Sequence, residues 1–114
     1  MLEVEPSFVN KAKQRGINAQ LYNGIDMSSV IRQQLFDIII ANRVFEEIVM
    51  SEYQIKKSLI QARQHLRKDG LLITGTQNPD AVRENIFTIT GFKKETISQT
   101  PFHQYITQVS TYRK

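Results

Sequence analysis

The block Phe36-Asp37-Ile38-Ile39-Ile40-Ala41 constrains this chain more than any other stretch. An apolar run of this length suits a strand buried on both faces, the usual state of a central strand in a parallel sheet covered by helices. It ends abruptly in Asn42-Arg43. In open α/β sheets small molecules bind just beyond the carboxyl ends of such strands, so the segment is either a ligand-facing edge or a core strand followed by an ordinary loop.

The flanking segments alternate between strand and helix patterns. Residues 2–5 read as a short strand, and Pro6-Ser7 then supplies a stop and a cap for a helix over residues 8–15, closed by Gly16. Residues 18–22 read as a second strand, broken by Asn23-Gly24 before an irregular stretch through Gln34. After the central block, Ser51-Glu52-Tyr53-Gln54 has the spacing of a capping box, in which serine and glutamine side chains satisfy free amides at a helix start. Ile55, Leu59, Ala62 and Leu66 then recur at helical spacing and place one apolar stripe against a sheet. Arg67 and Lys68 suit the negative end of that helix, and Asp69-Gly70 offers the glycine that a left-handed helix terminus favours.

A strand over residues 71–76 follows, then a loop at Gln77-Asn78-Pro79 and a weaker helix over residues 80–90 ended by Gly91. Residues 93–99 and 104–112 flank Thr100-Pro101-Phe102 and read as an antiparallel hairpin. The order implies an α/β layered fold, with right-handed crossovers putting helices on the sheet faces.

At 114 residues the chain is one domain at most, long enough for a core but short for a complete nucleotide-binding α/β domain. Hydrophobic content of 40% and charged content of 23% argue against disorder. No apolar run approaches the roughly 20 residues needed to cross a bilayer, and no signal pattern opens the chain, so no membrane partner and a cytoplasmic location are expected. The absence of cysteine fits a reducing compartment. Despite a net charge of +4, the basic residues fall on separate elements, with Lys11, Lys13 and Arg15 on one helix and Lys56, Lys57, Arg63, Arg67 and Lys68 on another. Such residues form solvated faces, and without a recognised motif a nucleic-acid partner is not expected.

Three stretches carry a family resemblance. Residues 4–16 join a strand ending in Glu5 to a helix closed by Gly16; residues 36–48 join the apolar block to Val44-Phe45-Glu46-Glu47-Ile48; residues 66–74 join a helix end, Asp69-Gly70 and a strand. In this order they resemble the later part of a class I S-adenosylmethionine-dependent methyltransferase, over nearly the whole chain. The resemblance implies a Rossmann-like methyltransferase sheet, mostly parallel with a terminal antiparallel hairpin, lacking its amino-terminal strand.

It also implies S-adenosylmethionine as cofactor. Glu5 would accept from the ribose hydroxyls, unless it serves only the helix start. Asp26 is either the acceptor for the adenine amino group or a turn aspartate, and Met27 either packs on adenine or lies in the core. Asn42 and Arg43 correspond to residues lining the methionine portion and the acceptor entrance. Glu46 and Glu47 are a general-base pair or a solvated turn. His65, beside the apolar stripe, is expected at the surface; His103 could reach a substrate pocket or be structural. No spacing of His or Cys suggests a metal.

The family's glycine-rich first strand has no counterpart here, because the glycines at positions 16, 24, 70, 75 and 91 are isolated. That strand lies centrally in the family's sheet, so three outcomes are open: another polypeptide supplies it, a second copy pairs at the exposed edge, or the flanking strands meet directly. The expected function is methyl transfer to an unidentified acceptor if the cofactor motif is supplied, the isolated chain being inactive. The alternative is a non-catalytic subunit that binds a partner through exposed sheet edges.

Overall fold

The computed structural model describes residues 2–3, 6–21, 26–42, 44–45, 51–79, 82, 84–102 and 105–114. They divide into two compact units, Met1–Gln34 and Leu35–Lys114. The first holds strand β1 (Leu2–Glu3), helix α1 (Pro6–Gln14), strand β2 (Gln20–Leu21) and a short helix α2 (Ser28–Ile31). β1 and β2 pair in parallel, with Leu2 beside Gln20 and Glu3 beside Leu21. α1 begins at Pro6, whose fixed φ and missing amide hydrogen cost nothing in a first turn. Its apolar positions Val9 and Ala12 pack with Ala19. Gly16 closes it at φ 77°, with its own amide donating to Lys13 and that of Ile17 reaching back to Ala12, both at 3.0 Å.

The second unit contains β3 (Phe36–Asn42), α3 (Glu52–Gln64), β4 (Leu66–Thr76), α4 (Glu84–Ile89), β5 (Lys93–Phe102) and β6 (Tyr105–Arg113). Its sheet has the order β3-β4-β6-β5, with β3 and β4 parallel and the two pairs involving β6 antiparallel. The capping box of α3 is present: the Gln54 amide donates to Ser51 Oγ at 3.2 Å, and the Ser51 amide donates to Gln54 Oε1 at 2.9 Å. Ile55, Leu59, Ala62 and Leu66 are all buried, as the stripe requires. Ile55 and Leu59 of α3 and Ile86 and Phe87 of α4 share one core with Ala41, Leu72 and Tyr112 of the sheet.

β3 is not buried on both faces. Ile38 is 51% and Ile40 72% exposed, because α3 and α4 pack into a single core on the face that carries Ile39 and Ala41. α3 also ends earlier than expected, at Gln64, so Arg67 and Lys68 belong to β4 rather than to a helix terminus. The left-handed backbone lies at Asp69 (φ 62°), not at Gly70. His65 is 5% exposed instead of at the surface: it ends α3, and its carbonyl accepts the Phe36 amide at 2.8 Å, which ties the helix end to the start of β3 and encloses it.

The stretch before Gln34 is irregular except for α2. Among the described residues β1 and β2 form one two-stranded sheet, and β3 belongs to the four-stranded sheet of the second unit.

Candidate functional site

The carboxyl ends of β3 and β4 lie side by side, Ala41 against Thr74 and Asn42 against Gly75. The adjoining β6 runs antiparallel to β4 and sets Gln108 against Thr76, Ser110 against Thr74 and Tyr112 against Leu72, on alternate positions leading back from that end. Ala41, Thr74, Gly75 and the three β6 residues, with Phe45 and Glu84, wall a small concavity on the α4 side of the sheet. Its enclosed part has room for about one water molecule.

The wall is aromatic below and polar above. Phe87 packs edge-on to Phe45 at 5.9 Å between ring centroids and stacks on Tyr112 at 4.3 Å. Burial pushes the Tyr112 phenol up to about 12, assisted by the charge of Glu84 and opposed by a hydrogen bond with Ser110. Tyr112 is therefore a neutral hydrogen-bonding group at physiological pH, not a base. Glu84 is ion-paired with Lys94, which holds its carboxylate at the rim.

In the first unit, Asp26 and Met27 lead into α2. Asp26 Oδ1 accepts the Ser29 amide at 3.3 Å, while its carbonyl accepts the Ser29 hydroxyl at 2.8 Å. This is the geometry of a turn aspartate steadying a helix start. Met27 is 7% exposed and thus largely shielded within its surroundings.

Of the other expected site residues, Asn42 is the last residue of β3. Glu5 and Arg43 lie outside the described residues, as do Glu46, Glu47 and His103. The lining residues Thr74, Thr76, Ser110 and Tyr112 were not among those expected from sequence. Their signal was the alternation along residues 108–112, which puts Gln108, Ser110 and Tyr112 on one face.

Neither a protein-family model nor a curated protein matches the sequence. Solved structures do match the fold. The chain has the Rossmann-like fold of S-adenosylmethionine-dependent methyltransferases, a mixed sheet that ends in an antiparallel hairpin.

The N-methyltransferase NodS from Bradyrhizobium japonicum WM9, in complex with S-adenosyl-L-homocysteine, is similar at a TM-score of 0.75 and 18% identity, over 99% of this chain and 64% of that one. A TehB-like methyltransferase from Corynebacterium glutamicum is similar at 0.75 and 16% identity, over 99% of this chain and 66% of that one. A methyltransferase from Thermotoga maritima, described as a possible histamine N-methyltransferase, is similar at 0.75 and 12% identity, over 99% and 72%. This chain thus spans about two-thirds of the length of the structures it resembles. At these identities the likeness concerns the fold.

Proposed function

We propose that this chain forms the carboxyl part of an S-adenosylmethionine-dependent methyl-transfer domain. The observation that carries the reading is the parallel pair β3 and β4, whose carboxyl ends meet at Asn42 and Gly75 beside a concavity, in a fold shared over 99% of the chain with an enzyme bound to S-adenosyl-L-homocysteine. Strand ends of this kind are where open α/β sheets hold their ligands.

The residues present fit the cofactor unequally. Asp26 and Met27 supply an acceptor and an apolar side chain of the type an adenine ring needs, although Asp26 already accepts from Ser29. Glu5 fits the ribose hydroxyls by residue type. Asn42 and Arg43 are assigned to the methionine end and the acceptor entrance. The close backbone approach that a glycine-rich turn allows has no counterpart among the five isolated glycines, so the methionine end is only partly provided for.

When bound, the cofactor supplies an electrophilic methyl on a sulfonium. The protein's contribution is to hold an acceptor in line and keep water out, and orientation of this kind needs no nucleophile or acid from the chain itself. Tyr112, Ser110, Thr76, Phe45 and Phe87 are buried and form the packed floor beneath these strand ends.

Isothermal titration of the chain with S-adenosylhomocysteine tests the reading. Saturable heat with a stoichiometry near one is expected, weaker than for a domain with the glycine turn. The absence of any heat at high protein concentration would remove the reading for this chain.

A further inference from the structure

The enclosed part of the concavity is too small for a methyl acceptor, so the walls this chain can offer one are those that project past the strand ends. The hairpin of β5 and β6 does project. β6 meets β4 only from Gln108 onward, and Gln108 is paired with Thr76, the last residue of β4. Its pairing with β5 continues further, through Thr100 with Thr107, Pro101 with Ile106 and Phe102 with Tyr105. At ~3.4 Å per residue this two-stranded arm reaches about 10 Å beyond the carboxyl end of β4.

Charge is kept out of this hairpin except at its foot. Residues 96–112 contain no Asp, Glu, Lys or Arg, in a chain that is 23% charged, whereas Lys93, Lys94, Glu95, Arg113 and Lys114 gather at the opposite end. The ligand end has carboxamides instead. Asn42 ends β3, Gln77 and Asn78 follow β4, and Gln108 and Gln99 are register partners on β6 and β5 at the level where β4 stops. Each strand of the sheet thus has a carboxamide residue at that end. A carboxamide offers two donors and an acceptor without a charge, and such a set suits a group that is itself neutral and hydrogen-bonding. Among the described residues that wall the concavity, Glu84 alone is charged, and a carboxylate there repels an anion.

We propose that this arm, with Gln99 and Gln108 at its base, is the acceptor-side wall of the site, and that it selects an acceptor with an uncharged hydroxyl or amide group over an acidic one. The inference rests on the methyl-transfer reading, but Gln99 and Gln108 have no part in holding the cofactor.

Benzamide and benzoate share a shape and differ in charge. Each is titrated into the isotope-labelled chain in excess S-adenosylhomocysteine. Benzamide should give saturable shifts at the amides of Gln99 and Gln108, and benzoate should need about tenfold more ligand for the same shifts. Gln108→Met, which keeps the reach of the side chain and removes its hydrogen bonds, should weaken benzamide about fivefold. Glu84→Gln should bring the two probes together. Ser98→Ala, on the opposite face of β5 from Gln99, should change neither. Circular dichroism checks that each variant keeps its helix and strand content.

Silence at Gln99 and Gln108, equal binding of both probes by the native chain, a preference that survives Glu84→Gln, or an affinity that Ser98→Ala lowers as far as Gln108→Met would each overturn the proposal. If S-adenosylhomocysteine alone shifts Asn42 and Gly75, the methyl-transfer reading stands through any of those failures. If it shifts nothing, that reading falls and the acceptor role falls with it.

Discussion

Gly70 has no room for a side chain: a Cβ built there would lie 2.8 Å from the carbonyl oxygen of Arg67 and 3.1 Å from that of Asp37. Both are backbone atoms, which cannot turn aside. Gly70→Ala should therefore lower stability by about 1–3 kcal/mol, read as a lower urea midpoint. The glycine was legible in the sequence but its reason was not: no left-handed turn requires it, and a side chain is barred by the carbonyl of Arg67 in its own strand and that of Asp37 in β3. Tyr112 gives a second prediction at this scale. Its phenol is raised to about 12 in the folded chain against about 10 when unfolded. Between these values the unfolded chain has lost its proton and the folded one has kept it. Stability is thus undiminished below pH ~10 and falls as pH rises toward 12, by at most about 1.4 kcal/mol per pH unit. Denaturant titrations across that range should show the decline, and Tyr112→Phe should flatten it.

Elements were legible where their cause is local. The capping box that starts α3 and the glycines that close α1 and α4 act through neighbours within five residues, and each is found where the sequence puts it. Ser51→Ala should cost about 1 kcal/mol by freeing the Gln54 amide, measurable by thermal unfolding. Elements were misread where the cause is distant. The apolar block of β3 looked buried on both faces, yet composition cannot say how many faces have a helix to cover them. Helical angle turns His65 away from the apolar stripe, but the helix ends at Gln64 and the His65 carbonyl joins the start of β3, a contact the angle does not encode. α4 is short, and its hold on the sheet rests on Phe87, packed against both Phe45 and Tyr112. Phe87→Ala should cost about 3–5 kcal/mol, enough to shift most of the population toward the unfolded state in moderate urea.

Across the whole molecule the order of elements was more legible than the site. Strand and helix periods, turn glycines and the closing hairpin sufficed for the class of fold, because each is a pattern repeated along the chain. The site depends on residues that meet only through strand pairing. Gln108 and Ser110 come beside the carboxyl end of β4 because β6 runs antiparallel to it, a register no local pattern encodes. Asp26, chosen by its place after the second strand, is engaged with Ser29, which is the turn role that the sequence left open beside the ligand role.

The central claim is that the strand ends of this fold receive S-adenosylmethionine, and amide chemical shifts of the isotope-labelled chain, followed during titration with S-adenosylhomocysteine, test it most directly. Saturable shifts are predicted at Ala41, Asn42, Thr74 and Gly75, with α3 and β5 unmoved. An unchanged spectrum, or shifts confined to α3 and β5, would contradict it.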